Sequence, residues 1–249
     1  MSTLYTYGCS FTNYKWNTWA DHMGKYFDKF VNYGQTGAGN QYILHRLAES
    51  HACNEIEHTD TVAIMWSTAL RYDNLFDGKW ETWGNVFNSG RPKLFLDMID
   101  PVGFEIRDCA FIHSAKCILD SIGCRYVFFS MEDVYPHLPF KKTINTILPS
   151  TMEILFKGDY YNRVLDLNPA DNDYKTHAGA DWPTREQFST GNLPDIHPDI
   201  IAEMCVTFNA KNLKEIIDKK MWMCPDFHPT PEMHLEYLDA VLPDWRTWH

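Results

Sequence analysis

Residues 3–12 read TLYTYGCSFT. Leu4, Tyr5, Thr6 and Tyr7 form a β-branched and aromatic run that predicts a short strand. Gly8 punctuates it. Ser10 then falls on the turn that leaves the strand, with Phe11 and Thr12 leading toward a helix. A serine at such a turn sits on a rigid scaffold. Its hydroxyl can serve as a nucleophile, and its N–H can point toward a developing oxyanion. Local sequence also allows a plainer role for Ser10, as the cap of the following helix. Cys9 is a second nucleophile by type, but neighbours on an extended segment point to opposite faces.

Working outward, Trp16, Trp19, Ala20, Met23 and Phe27 recur at helical spacing over 15–27. Residues 28–33 (DKFVNY) predict a second strand. The glycine-rich turn GQTGAGN follows at 34–40, then a helix with Ile43, Leu44 and Leu47 on one side. Gly34, Gly37 and Gly39 allow positive φ and close backbone approach to a ligand, in a pattern that is neither GxGxxG nor a P-loop. Residues 61–66 (TVAIMW) are nearly all apolar, as in a parallel strand buried on both faces. This strand ends in Trp66, Ser67 and Thr68, with Arg71 just beyond. Polar groups at such an end lie where open α/β sheets bind ligands. Trp66 and Arg71, with Asn40 at the start of the preceding helix, are candidate substrate contacts.

Residues 73–100 show little regular periodicity and predict a long excursion of the lid or binding-loop kind. A helix is predicted over 104–122, ended by Gly123, and RYVFFS at 125–130 predicts another buried strand. Strand and helix alternate to this point, the pattern of a parallel α/β sheet. The rhythm breaks over 131–200, where repeated prolines and polar, aromatic stretches predict an irregular insertion or cap over the sheet's functional edge. Within it, 144–156 suggests a short helix and 162–167 a strand. Helical periodicity returns over 200–220. In 221–240 (MWMCPDFHPTPEMHLEYLDA), Asp226 and His228 precede a helix that starts near Pro229–Pro231. His228 also reads as a cap of that helix, and His234 as a surface residue one turn on.

Composition narrows the partners. A formal net charge of −11 disfavours binding to nucleic acid and anionic membranes. No apolar run has the length of a membrane span, and the N-terminal residues lack signal-peptide features, so synthesis in the cytoplasm is expected. The seven cysteines include no CxxC pair and fit reduced thiols better than a disulfide framework or zinc site. Asp226, His228 and His234 match no strong zinc spacing, so neither metal nor cofactor is expected. The nine tryptophans and thirteen tyrosines exceed a minimal core; ordinary packing accounts for most of them, and some are expected to line a binding surface.

Taken together, GCSFT, NYGQTG and PDFHPTPEMH resemble the sequence blocks of the SGNH (GDSL-like) hydrolase superfamily, its virus- and phage-encoded members most of all. The resemblance implies a three-layer α/β/α sandwich with a central parallel sheet, as a single domain over 1–249 with 131–200 inserted. It places Ser10 on the nucleophile, Gly37 on an oxyanion-hole glycine, His228 on the general base and Asp226 on its orienting acid. It implies a serine esterase acting on a small-molecule or glycan ester, with O-acetyl groups on a carbohydrate as the expected substrate.

Three departures stand out. Cys9 replaces the aspartate of the first block. Asp226 and His228 are spaced DxH where many members have DxxH. The strand end MWSTALRYD lacks the oxyanion asparagine of the GxND block, so Ser67, Thr68 or Arg71 would have to substitute. Losing one oxyanion donor typically costs about 10²–10³ in rate. These departures keep two other readings open: a non-catalytic binding or structural module of a virus particle, and an acyltransferase whose cap excludes water. Oligomeric state is not legible.

Overall fold

The computed structural model describes residues 2–88, 93–137, 139–156, 183, 185–193, 195–196, 198–207, 210–219 and 228–248. In chain order the elements are β1 (Thr3–Tyr7), α1 (Trp19–Gly24), β2 (Lys29–Asn32), α2 (Asn40–Ala52), β3 (Thr61–Trp66), β4 (Arg71–Phe76), β5 (Lys79–Asn85), α3 (Lys93–Asp97), α4 (Pro101–Ile122), β6 (Arg125–Ser130), α5 (Lys141–Ile144), α6 (Thr151–Phe156), α7 (Arg185–Thr190), α8 (Pro198–Thr207), α9 (Leu213–Asp218) and α10 (Pro231–Val241). The chain divides into two compact units. One is Met1–Tyr14, Thr18–Lys157 and His234–His249; the other is Lys15–Asn17 and Gly158–Met233.

The first unit is built on a four-stranded sheet in the order β2-β1-β3-β6, parallel throughout. The chain steps from β1 to β2 in one direction and from β2 through β3 to β6 in the other. Right-handed crossovers then put α1 on one face and α2 and α4 on the other. Packing agrees with this. Trp19 of α1 and Tyr237 of α10 both meet the Phe129 ring, at 4.9 and 5.8 Å between centroids, while α2 packs on α4 and the two helices bury Ile43, Leu47, Ile112, Ala115 and Leu119. With both faces covered, every residue of β3 is buried, which explains its unbroken apolar run.

Element ends follow from local chemistry. α1 begins at Trp19, later than the 15–27 periodicity predicts, because the Asp21 carboxylate accepts from the Thr18 N–H (2.8 Å) and fixes the cap there. Pro101 opens α4 behind an Asp100 cap. Gly123, at φ 73°, closes α4 in the left-handed conformation that favours glycine.

The expectation of little regular structure over 73–100 needs correction. β4 and β5 form an antiparallel hairpin, joined by Asp77 and Gly78 at φ 48° and 72°. Two consecutive positive φ values match the right-handed twist of paired strands, and Asp-Gly is a strong sequence signal for such a turn.

In the second unit α7, α8 and α9 gather Phe188, Met204 and Ile216 into a small core. Trp16 belongs to this unit, donating from its indole N–H to the Pro229 carbonyl (2.8 Å). The strand expected at 162–167 lies outside the described residues. Among the described residues, no helix is long and apolar enough to cross a membrane.

Candidate functional site

The carboxyl ends of the strands meet at one edge of the sheet. Parallel register sets Tyr7 beside Ile64 and Trp66 beside Ser130, so Ser10, Ser67 and Met131 follow neighbouring strands out of the sheet. Ser10 is buried, at 5% exposure, in a turn where Thr12 and Asn13 donate their N–H groups to the Cys9 carbonyl (2.9 and 3.2 Å). Gly8 makes this turn tight enough. A Cβ there would fall 1.9 Å from Thr12 Oγ1 and 3.0 Å from the Met65 carbonyl oxygen. Cys9 is fully buried, with its Sγ 3.9 Å from Met131 Sδ.

The glycine-rich loop is shaped by the hairpin. Gln35 donates its N–H to the Gly8 carbonyl (3.0 Å), tying the loop after β2 to the turn after β1. Gly37 adopts φ 78° and lies so close to β5 that a Cβ would sit 2.4 Å from the Thr82 carbonyl oxygen. Its own carbonyl accepts from Gly84 (3.0 Å). From β4, the Asp73 carboxylate accepts the N–H groups of Gly39 (2.9 Å) and Tyr42 (2.8 Å), capping α2 from a distant strand. Burial raises the Asp73 pKa, and those two hydrogen bonds oppose the shift.

The segment after β3 is held from outside. Asn40 accepts the Ser67 N–H (2.8 Å) and donates both to the Ser67 carbonyl (3.0 Å) and to Asp108 Oδ2 (2.7 Å). Its side chain thus clamps one peptide and is itself oriented by a carboxylate. Arg107 donates to Asp108 Oδ1 (2.8 Å) and to the carbonyls of Ala69 and Arg71 (3.3 and 3.1 Å). Asp108 is buried. Desolvation pushes its carboxyl up to about 6, against the pull of Arg107 and Asn40. Arg71 reaches back to the Ala38 carbonyl (2.9 Å).

A cavity of about 330 Å³ opens at the ends of β3 and β6, its walls including Asn40, Ser67, Thr68, Arg71, Asp108 and Met131. The structure therefore brings together four of the residues singled out from sequence: Asn40, Ser67, Thr68 and Arg71. Trp66 is fully buried, its ring edge-on to Phe128, because it ends a strand covered on both faces. Among the described residues, neither Ser10 nor Gly37 lines this cavity. His228 lies in the second unit, half-buried, and Asp226 lies outside the described residues. His234 is buried at 1% exposure rather than on the surface, with its ring edge-on to Phe11 at 6.3 Å. No cluster of metal-ligating side chains occurs among the described residues.

The clamp made by Asn40 and Asp108 was not legible in the sequence. Its partners are 27 and 68 residues apart, and no motif spans such distances. The polar Asn40 opening an apolar-faced helix was the available signal.

No family model and no curated protein matches the chain. Among solved structures it is similar to a member of the lipolytic protein G-D-S-L family from Veillonella parvula. Identity there is 13% and the TM-score 0.37, over 66% of this chain and 85% of that one. It is also similar to the psychrotrophic esterase EstA from Pseudoalteromonas sp., with 13% identity and a TM-score of 0.32, over 64% of this chain and 82% of that one.

Proposed function

We propose that this chain is a serine esterase that cleaves its substrate through an acyl-enzyme on Ser10, with O-acetyl groups on a carbohydrate as the substrate class. The observation that carries this reading is the place of Ser10: the turn leaving an inner strand of a parallel sheet, beside the polar ends of its neighbours. In the proposed reaction Ser10 Oγ attacks the ester carbonyl. His228 takes the serine proton and returns it to the leaving alcohol, and Asp226 holds the imidazole tautomer. The N–H groups of Ser10 and Gly37 receive the oxyanion. The segment after β3 would assist through the Thr68 hydroxyl, since Asn40 already holds the Ser67 N–H. Water then releases the acyl group and regenerates Ser10.

A fluorophosphonate probe read by intact mass tests this. The expected result is one adduct on the wild type and none on Ser10→Ala. A folded wild type that takes no adduct would overturn the reading. It would favour the second one, a non-catalytic binding module, which the 5% exposure of Ser10 and the engaged N–H of Ser67 support.

A further inference from the structure

The cavity at the ends of β3 and β6 has polar walls of two kinds. Ser67 Oγ and Arg71 Nε are buried and meet no hydrogen-bond partner among the described residues, and Ser67 as a whole is 4% exposed. Buried donors left unpaired are costly, and both of these residues line the cavity. They lack an acceptor.

Four carboxylates line the same space: Glu105, Asp108, Glu132 and Asp133. His137 meets Glu105 (2.9 Å), Asn40 and Arg107 meet Asp108, and Ser150 donates to Asp133 (2.6 Å). Each carboxylate offers more lone-pair sites than these bonds fill. Glu132 makes no hydrogen bond among the described residues, and it is exposed, as is Asp133. These groups lack donors. At the same opening the Tyr135 ring is 65% exposed.

We propose that this cavity binds a neutral N-acylated sugar, with the amide carbonyl accepting from Ser67 Oγ and Arg71 Nε, the hydroxyls donating to Glu132 and Asp133, and the Tyr135 ring against the apolar sugar face. Charge sets the selectivity. The excess of carboxylates over the single lining guanidinium repels acidic sugars such as uronates. The carbonyl in question is a recognition group and not the ester that Ser10 would attack. This deepens the esterase reading by naming the alcohol side of its substrate, and it rests on that reading only for the link to turnover.

The test is calorimetric binding to the full chain carrying Ser10→Ala, so that turnover plays no part. The probes are tri-N-acetylchitotriose and trigalacturonate. Chitotriose is expected to bind about tenfold or more tighter than trigalacturonate. Tyr135→Ala should weaken chitotriose binding by about tenfold. Glu132→Lys should raise the affinity for trigalacturonate. Both substitutions sit at exposed positions, so folding is retained. The proposal is overturned if chitotriose does not bind, if trigalacturonate binds as tightly, or if both substitutions leave both affinities unchanged. Fluorophosphonate labelling of the wild type is read separately. Labelling without sugar binding removes the cavity proposal and keeps the esterase, and sugar binding without labelling does the reverse.

Discussion

Two segments leave adjacent strands at the same sheet edge and are held by opposite means. The turn after β1 closes on itself, with Thr12 and Asn13 donating to Cys9 and with Gly8 making room. The segment after β3 is held by groups borrowed from α2 and α4, namely Asn40, Asp108 and Arg107. The first is a local device, readable from consecutive residues. The second depends on tertiary structure and fails if any distant partner is lost. A turn held largely by its own residues sits beside a cavity wall whose shape depends on the rest of the unit.

The largest expected effect tests the borrowed side. Asn40→Ala strands the Ser67 N–H and carbonyl and removes a donor from Asp108. It should cost about 3 kcal/mol or more, read by urea denaturation with an unchanged slope. The local side is tested by Gly8→Ala, whose methyl meets Thr12 Oγ1 and the Met65 carbonyl. A loss of about 2–3 kcal/mol is expected. Adding Thr12→Ala should restore part of it, and strict additivity of the two would show that the strain is not local.

A smaller effect is pH-dependent. Asp108 holds its proton up to about 6, against an ordinary value of 3.8. The folded state therefore binds the proton more tightly than the unfolded chain does. Stability from this group is fully present below about pH 4 and is lost as pH rises through 6. Asp108→Asn keeps an acceptor for Asn40 and should flatten that decline, by on the order of 1–2 kcal/mol between pH 4 and 7. Denaturation midpoints across that range read it, and parallel curves for variant and wild type would refute it. Smallest of all is Gly78→Ala, with φ at 72° and no neighbour within 4 Å. Backbone strain alone should cost about 1 kcal/mol there, seen as a modest drop in Tm.

The same contrast explains what the sequence disclosed. β1, β3 and β6 were legible because buried parallel strands read as short apolar or β-branched runs, the part-exposed edge strand β2 because Phe30 and Val31 sit at its centre, and α4 because its stripe ends at Gly123. The hairpin escaped because β4 and β5 do not alternate cleanly. Leu75 and Phe76 are both exposed, at 56% and 68%, so the Asp77-Gly78 signal stood between strands without an evident buried face. At the sheet edge Ser10, Ser67 and Arg71 were legible as polar residues at strand ends, and of these Ser67 and Arg71 line the cavity. The role of Asp108 was not, because a single aspartate on an amphipathic helix looks solvent-facing until its burial is known.

The Asp73 carboxylate carries one more consequence. It shields the amide protons of Gly39 and Tyr42, residues at the start of α2, although it belongs to β4. Those two protons should exchange with deuterium only when the hairpin lifts from the loop, and faster than the amides of β3. Their exchange rates would time the opening of the loop that holds Gly37, without any ligand or label at the site.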